Sequence, residues 1–398
     1  MCSTVTPAQR ILAKVRSLVL VSAGGFGAFS ALSIYNENED FYDNIFMPLV
    51  RKLDPETSHN LAIAACKYKL FPKSRFVDPS SLQTKVLGMD FENPLGIAAG
   101  FDKQAEAAQT LRNIGFGFVE IGSVTPLPQT GQEKPRVFRL EESEALINRM
   151  GFNSDGHEVV HQRLVYLRNS EAGKNFKLGV NLGKNKTSDD ALADYSKGVE
   201  LFSDVADYLV VNVSSPNTAG LRDLQEEKQL KNLLSTLIRV RNSLPPEKRK
   251  PLLVKISPDL TVDQRKQIAD VVTDKWCRVD GLICSNTTTA RPSELKGPHV
   301  EEAGGLSGRP LKMPSNELIS DMYKLTKGAI PIIGVGGVSS GLDAYNKILS
   351  GASLIQIYTT FAYHGPPRVT RIKRELDEHL KMNGWKSVAE AVGKGVSR

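Results

Sequence analysis

The stretch PIIGVGGVSSG (331–341) contains a short apolar run that ends in glycines, and SLIQIYTTF (353–361) contains another that ends in hydroxyl residues. The helical pattern Gly341–Leu349 lies between them. Strand patterns that alternate with helical patterns are typical of βαβ units in a parallel sheet. The alternation extends back to about residue 80, and the predicted strands are Leu95–Ala98, Phe118–Gly122, Leu178–Asn181, Tyr208–Val213, Leu252–Ile256, Gly281–Cys284, Pro331–Val335 and Leu354–Tyr358.

Eight such units over about 300 residues predict an α/β fold of the (β/α)8 TIM-barrel type. The segment Leu82–Glu92 is predicted to form a small hairpin that closes the bottom of the barrel. A doubly wound sheet is the structural alternative, but no GxGxxG motif follows the first predicted strand. The remaining predicted helices of the barrel are Lys103–Ile114, Asp189–Val205, Lys228–Ser243, Asp263–Trp276 and Ser315–Thr326.

Composition places the chain among globular proteins. It has 398 residues, of which 40% are hydrophobic and 24% are charged, and these values exclude whole-chain disorder. The four cysteines lie far apart and form no spacing typical of metal ligands, so neither a disulfide scaffold nor a metal site is predicted. The net charge is +7, but 51 Lys and Arg are mixed with 44 Asp and Glu. No basic run is interleaved with aromatics, and we therefore expect no nucleic-acid partner.

The N-terminal 36 residues differ from the rest of the chain. Residues 1–16 carry Arg10, Lys14 and Arg16 and no acid, which is typical of a targeting segment. Residues 17–36 carry no charge, and about 20 apolar residues suffice for a transmembrane helix. A single-pass anchor in contact with membrane lipid is the favoured interpretation. A cleaved secretory signal and a buried soluble helix are the alternatives.

Residues 37–75 predict two short amphipathic helices, Asp40–Leu53 and Glu56–Leu70, which are separated by Asp54-Pro55. Their apolar faces could pack on the main domain, which the periodicity favours. They could also enter the membrane surface and admit a lipid-like ligand. Residues 76–398 are then the barrel domain.

Polar residues, glycines and one lysine follow or end the predicted strands. Because active sites of TIM barrels lie at the C-terminal ends of the strands, these residues are expected to converge. Lys255 stands inside an apolar strand, where a charged side chain needs a buried partner. The strand ends provide Gly100, Lys103, Ser123, Asn181, Asn212, Lys255, Asn286, Gly337 and Thr359.

These side chains favour one kind of ligand pair. Amides and hydroxyls can hydrogen-bond a planar amide-rich ring, and two lysines supply positive charge. Glycines followed by a helix suit a phosphate group. The combination predicts flavin mononucleotide (FMN) together with a small anionic heterocycle. No histidine lies at these strand ends, which disfavours a histidine base. Ser215, in the loop after the fourth strand, offers a hydroxyl beside two amides and is a catalytic candidate in this context.

Ten motifs occur in order along the chain: GIAAGFDK (96–103), EIGSVTP (120–126), INRMGFN (147–153), GVNLGKNK (179–186), VNVSSPNTAGLR (211–222), VKISPD (254–259), SNTT (285–288), GGLSGRPL (304–311), PIIGVGGVSSG (331–341) and QIYTTF (356–361). Together they resemble the dihydroorotate dehydrogenase family, and the likeness covers residues 40–385. The anchor, the two-helix extension and the serine in VNVSSPN resemble its class 2 branch, which is membrane-bound and reduces quinone. The soluble class 1 enzymes use a cysteine at this loop position.

The resemblance implies a role for each matching residue. Ser215 is expected to remove the proton from ring carbon 5 of dihydroorotate, while hydride passes from carbon 6 to FMN. Thr218 and Phe152 are expected to organise the proton path. The residues expected to bind dihydroorotate or orotate are Lys103, Asn148, Gly151, Phe152, Asn212, Asn217, Asn286 and Thr287. Those expected to bind FMN are Ala99, Gly100, Ser123, Asn181, Asn212, Lys255, Ser285, Gly308, Gly337, Tyr358 and Thr359.

The resemblance also implies that the two N-terminal helices form a tunnel for ubiquinone. Arg139 is expected to offer its guanidinium to a quinone carbonyl. The implied location is the mitochondrial inner membrane, with one membrane pass, a barrel that faces the intermembrane space and a monomeric state. The expected tunnel residues are Met47, His59, Ala62, Phe101, Arg139 and Tyr358.

Four positions depart from the pattern expected of the family: Met150, Ser285, Ala65 and Cys66. None of them removes a chemical role, but they can change the tunnel shape or the flavin contacts. Two rival functions stay open from sequence. One is a related flavin enzyme that acts on another dihydropyrimidine or on a 2-hydroxy acid, although the latter would require a histidine. The other is a membrane-tethered flavoprotein without turnover.

Overall fold

The computed structural model describes residues 6–173 and 176–396. Its first element is one continuous helix, Pro7–Tyr35, which Thr6 and Gln9 begin with a reciprocal capping box. The predicted targeting residues from position 7 onward belong to this helix, and positions 1–5 lie outside the described residues. Within the described part of the chain this is the one helix long and apolar enough to span a membrane. Only 6% of its most apolar stretch is buried against the rest of the protein. This apolar surface is therefore free to contact lipid, and the helix is a candidate membrane anchor.

Two short helical segments follow the candidate anchor, as predicted. The first is built from Glu39–Phe41, a π-helical turn Tyr42–Phe46 and Met47–Arg51. The second, Pro55–Lys67, begins where the Asp54 carboxylate accepts the Thr57 N–H at 2.8 Å. The predicted end at Leu70 is wrong, since the helix ends at Lys67 and Lys69 adopts φ +56°. We call these two segments the helix pair.

The predicted (β/α)8 barrel is confirmed, and the doubly wound alternative is excluded. All eight strands pair in parallel in sequential order, and the eighth pairs with the first to close the barrel. Each strand is a short run of buried aliphatic and aromatic residues, as expected for a sheet covered on both faces. The barrel strands are Leu95–Ile97, Phe118–Val124, Lys177–Leu182, Tyr208–Asn212, Leu252–Ile256, Gly281–Cys284, Ile332–Val335 and Ala352–Ile357.

Helices surround the barrel and bury their apolar faces against it. The first of them begins at Ala108, five residues later than predicted. The Asp102 carboxylate accepts the N–H groups of Glu106 and Ala107 at 2.9 and 2.8 Å, and this turn replaces the first helical turn. Lys103 therefore stays in the loop at the strand end. The helices are Ala108–Ile114, His157–Asn169, Ala191–Phe202, Glu227–Ser243, Val262–Thr273, Lys312–Leu325, Gly341–Leu349, Thr359–His364, Pro367–Met382 and Val388–Ala391.

Two small sheets complete the domain. The predicted hairpin pairs Thr84–Val86 with Met89–Phe91. Its Phe91 ring packs on the Phe118 ring of the barrel, with the two ring centroids 5.6 Å apart. An antiparallel sheet that the sequence did not predict joins Val137–Leu140, Ala145–Asn148 and Gly305–Gly308. Its residues line the cavity described next.

Candidate active site

A cavity of about 490 Å³ extends from the C-terminal ends of the barrel strands to the helix pair. Nearly every side chain predicted to bind substrate, cofactor or quinone lines it. Asn181 and Thr218 do not: Asn181 lies behind the wall, and Thr218 lies in the loop beside Ser215. The predicted residues in the wall are Met47, His59, Ala62, Ala99, Gly100, Phe101, Lys103, Ser123, Arg139, Asn148, Gly151, Phe152, Asn212, Ser215, Asn217, Lys255, Ser285, Asn286, Thr287, Gly308, Gly337, Tyr358 and Thr359.

Amides from neighbouring strands orient one another at the strand ends. Asn212 donates from Nδ2 to the Ser123 hydroxyl at 2.9 Å and to Asn181 Oδ1 at 3.3 Å. Asn286 donates to Asn212 Oδ1 at 3.1 Å. Ser123 donates to Asn181 Oδ1. Each amide is thus held in one orientation before any ligand binds, which reduces the entropy lost on binding.

A buried carboxylate beneath these amides is a residue that the sequence analysis missed. Glu120 is fully buried and accepts Asn181 Nδ2 at 2.9 Å, Gln356 Nε2 at 2.6 Å and the Tyr208 hydroxyl at 3.2 Å. Burial lowers the pKa of Lys255, and the Glu120 charge opposes that lowering. Glu120 is therefore a buried negative charge whose field favours the charged form of Lys255. A carboxylate inside the apolar strand FVEIGSV was the available signal.

The loop after the fourth strand carries Ser215, which is buried. The Asn217 backbone N–H donates to its Oγ at 3.4 Å. Ser214 donates to the Lys255 carbonyl at 2.6 Å, and Arg222 donates to the Ser214 carbonyl at 3.1 Å and the Thr287 carbonyl at 3.0 Å. Arg222, to which the sequence analysis gave no role, thus joins this loop to the end of the sixth strand.

Lys103 supplies a second positive charge and is half-buried at the cavity wall. Burial, followed by the nearby Arg136 guanidinium, lowers the pKa of the Lys103 ammonium to about 8, and Glu56 opposes the lowering. The ammonium is therefore charged at neutral pH in a site of low dielectric. An anion that pairs with it there gains more than it would in water.

Two glycines, Gly308 and Gly337, form a part of the cavity wall that has no side chains and that we call the glycine cradle. Gly308 has φ +96°, and a Cβ at this position would lie 2.2 Å from the Glu144 carbonyl oxygen. Gly337 has φ +68°, and its Cβ would lie 2.5 Å from Lys312 Cα. Neither position accepts a side chain, because the backbone has positive φ and neighbouring protein atoms lie too close. Both glycines line the cavity, where glycine-rich backbone suits a phosphate group.

Three cavity-lining residues carry buried polar atoms that lack a protein partner in the described part of the chain. They are Ser285 Oγ, Gln356 Oε1 and Thr360 Oγ1. Buried polar atoms are normally hydrogen-bonded, so three such atoms without a protein partner in one cavity indicate a polar ligand. Together with the cradle and Lys255, they fit a planar, phosphorylated group of the flavin mononucleotide type.

The cavity becomes apolar and aromatic toward the helix pair. The His59 and Phe101 rings pack edge-to-face with their centroids 5.2 Å apart, and the Phe101 and Tyr358 rings do so at 5.8 Å. Burial lowers the pKa of His59 to about 3, so its imidazole is neutral at physiological pH. The passage continues between Met47, Ala62, Ala65 and Cys66. This wall suits a hydrophobic molecule.

Arg139 lines the same passage but is already engaged. Its Nη1 donates to the carbonyls of Arg51 at 3.0 Å and Leu53 at 2.7 Å, and its Nη2 donates to the Ser58 hydroxyl. The guanidinium thus holds the turn of the helix pair. A contact with a ligand carbonyl would be additional to this role.

The fold is a closed parallel barrel, and its strand ends bear amides, hydroxyls, the buried Lys255, the half-buried Lys103 and cavity-lining glycines. These features define a TIM-barrel oxidoreductase of the flavoprotein class. The helix pair and the sequence comparisons narrow this class. The chain belongs to the dihydroorotate dehydrogenase family: the family described as "Dihydroorotate dehydrogenase" matches residues 81–380.

Relatives match over nearly the whole chain. A protein of Mus musculus named "Dihydroorotate dehydrogenase (quinone), mitochondrial" is 50% identical over 378 residues, covering 94% of this chain and 95% of its own. The "Dihydroorotate dehydrogenase (quinone)" of Rhodospirillum rubrum is 49% identical over 354 residues, covering 89% and 94%. The ligand-free DHODH of Eimeria tenella superimposes with a TM-score of 0.84 at 42% identity, covering 87% of this chain and all of that one. These relatives confirm the predicted class 2 membership.

Proposed function

We propose that this protein oxidises dihydroorotate to orotate, with FMN as its resident cofactor and ubiquinone as the electron acceptor, in pyrimidine biosynthesis. The observation that carries the proposal is the single cavity that joins two sites of different chemistry. One end holds Ser215, Lys103 and the amide cluster, and the other is the apolar passage through the helix pair. The relatives named as quinone-type enzymes support the same assignment.

In this proposal Ser215 takes the proton from ring carbon 5 of the substrate. A serine hydroxyl is a weak base, so the proton must be passed on through a short path that excludes bulk water. Thr218 lies in the same loop, and the Phe152 ring is buried at the cavity wall. We assign these two residues to the proton path and to the exclusion of water.

The substrate is held by charge at one edge and by amides at the other. Lys103 pairs with its carboxylate, since this ammonium lines the cavity and an anion bound there is attracted to it more strongly than in water. Asn148, Asn212, Asn217 and Asn286, with Thr287 and the backbone at Gly151, bind the edge of the pyrimidine ring. Asn217 donates to Asn148 Oδ1 at 3.2 Å, so these two amides are mutually oriented before substrate arrives.

FMN, when bound, would supply the hydride acceptor for the substrate and the electron donor for quinone. Its phosphate would lie on the backbone cradle at Gly308 and Gly337, next to Thr359. Lys255 would place positive charge at the ring. The other residues assigned to FMN are Ala99, Gly100, Ser123, Asn181, Asn212, Ser285 and Tyr358.

A visible spectrum of the purified protein under anaerobic conditions tests the proposal. We expect a flavin band that dihydroorotate bleaches and that a ubiquinone analogue restores. A band indifferent to dihydroorotate would reject the substrate assignment. Folded protein without a flavin band would reject the cofactor assignment.

We assign the apolar passage to ubiquinone and test it by filling it. Replacement of Ala62 by Phe is expected to raise the quinone KM about tenfold to a hundredfold, because overpacking costs about 1–3 kcal/mol. Anaerobic bleaching by dihydroorotate should stay at the wild-type rate. The control, Asn60→Phe, places the same aromatic side chain at an exposed position of the same helix. Equal quinone kinetics in the two variants would reject the tunnel.

We further propose four segments with distinct tasks: residues 1–16 for targeting, 17–36 as a single-pass anchor, 37–75 as the quinone tunnel and 76–398 as the catalytic barrel. The proposed location is the mitochondrial inner membrane, with the barrel on the side of the intermembrane space and the protein monomeric. Mitochondrial relatives and the exposed apolar helix support this location.

Removal of residues 1–36 tests the anchor. We expect protein that is soluble without detergent, keeps its flavin and reduces short-chain quinones. The end of the anchor helix packs on the helix pair, where Phe29 meets Phe41 at 5.6 Å and Arg75 lies 4.0 Å from the Tyr35 ring. A modest loss of thermal stability should therefore accompany the truncation. Loss of flavin would show that this helix is part of the fold instead.

A further inference from the structure

A buried ion pair joins the helix pair to the barrel. Glu56, in the first turn of the second helix, accepts Arg136 Nε at 3.1 Å and Nη2 at 2.8 Å. Glu56 is 8% exposed and Arg136 is 7% exposed. A bidentate pair restricts both side chains to one geometry. Because separating a buried pair would leave a charge without a partner, the pair holds the second helix against the barrel more firmly than an exposed pair would.

The remaining terminal nitrogen of Arg136 holds a loop of the barrel. Its Nη1 donates to the carbonyls of Thr130 and Gln132, each at 2.7 Å. The guanidinium is planar and its donors point in fixed directions. The position of Glu56 therefore dictates the position of this loop.

The loop in turn contacts the segment that carries Ser215. Gln132 donates from Nε2 to the backbone carbonyl of Asn217 at 3.1 Å. Asn217 is the residue whose N–H donates to Ser215 Oγ and whose side chain donates to Asn148. A continuous series of hydrogen bonds thus leads from the quinone side of the molecule to the substrate side.

We propose that Glu56 is a positioning residue for the reaction with dihydroorotate, acting through Arg136 and Gln132 on the Asn217 segment. The inference rests on the function proposed above and adds a regulation to it. The helix pair that admits quinone also sets the substrate site. Anything that displaces its second helix weakens substrate binding at the far end of the cavity.

A second effect of Glu56 is electrostatic. Arg136 lowers the pKa of Lys103 and Glu56 raises it. Glu56 also pairs with the exposed Lys134 at 3.2 Å, and His59 is a further titratable neighbour of Lys103. Without the Glu56 charge the Lys103 ammonium loses its proton at a lower pH. Binding of an anionic product should then weaken at a lower pH than in the wild-type protein.

Orotate titration of the full-length flavoprotein tests the inference, with the change in flavin absorbance as the readout. Glu56→Gln and Gln132→Ala are each expected to raise the orotate Kd by about twofold to thirtyfold. The double variant should raise it by less than the product of the two, since both act on one path. Glu56→Gln alone should also shift the pH dependence of the Kd to lower pH.

The matched control is Lys67→Met. Lys67 pairs with Glu106 at 2.7 Å and also joins the second helix to the barrel, but it is exposed and does not contact the loop. Its orotate Kd should equal that of the wild type. Gln132→Ala leaves the ion pair intact, so it tests the path even if Glu56→Gln fails to fold.

Two outcomes separate this inference from the proposed function. If dihydroorotate bleaches the wild-type flavin but Gln132→Ala binds orotate as Lys67→Met does, the coupling is overturned and the function stands. If the wild-type flavin is indifferent to dihydroorotate, the proposed function is overturned.

Discussion

Replacement of Ser215 by Ala is expected to leave the flavin bound and to slow its anaerobic reduction by dihydroorotate about 10²- to 10⁴-fold near neutral pH. Ser215 is the hydroxyl at the cavity wall next to the amides that would hold the substrate ring. Its loss removes the base and the 3.4 Å hydrogen bond from the Asn217 N–H, and leaves the hydrogen bonds among the amides in place. Single-turnover reduction, followed at the flavin band, measures this step without the quinone reaction.

Two further measurements distinguish a lost base from a disturbed loop. Reoxidation by a ubiquinone analogue should be unchanged in Ser215→Ala, since the passage lies on the other side of the cavity. Ser215→Cys should recover part of the rate with a pH optimum below that of the wild type, because a thiol ionises far more readily than a hydroxyl. Reduction of Ser215→Ala at the wild-type rate would contradict the assignment of the base.

The barrel was predictable because its signals are local. Each strand is a short apolar run, and parallel closure then brings the eight strand ends together. That geometry alone placed Lys103, Asn212, Lys255 and Asn286 in one site. The exceptions arise where one side chain overrides propensity, as when Asp102 caps the turn at 102–107 and delays the helix to Ala108.

Contacts over long separations were not predictable. The antiparallel sheet depends on the pairing of Gly305 with Asn148, which are 157 residues apart, and its strands have four residues each. Glu120 contacts Gln356 across 236 residues. A carboxylate in a buried strand predicts that it has hydrogen-bonding partners, but the sequence does not identify those partners. The same applies to Glu56 and Arg136, which are unremarkable charges until the fold buries them.

Replacement of Lys103 by Met is expected to reduce the affinity for orotate and kcat/KM for dihydroorotate by at least about thirtyfold. Removal of one partner of a buried, hydrogen-bonded charge pair costs about 2–5 kcal/mol, because the substrate carboxylate is then desolvated without a counter-charge. Orotate titration and steady-state kinetics measure the two quantities. The control is Lys266→Met, which removes an exposed lysine of a barrel helix and should change neither.

The pH dependence of orotate binding identifies Lys103 independently of the size of that loss. The pKa of Lys103 is lowered to about 8, so the ammonium is charged below that pH and neutral above it. Binding of the carboxylate requires the charged form, so affinity is full below pH 8. The orotate Kd should then rise about tenfold per pH unit above that value, since one proton is lost. Lys103→Met lacks this proton, and its weak binding should not show that rise. A wild-type Kd that is constant from pH 7 to pH 9.5, or a variant that keeps the wild-type slope, would mean that another group receives the carboxylate.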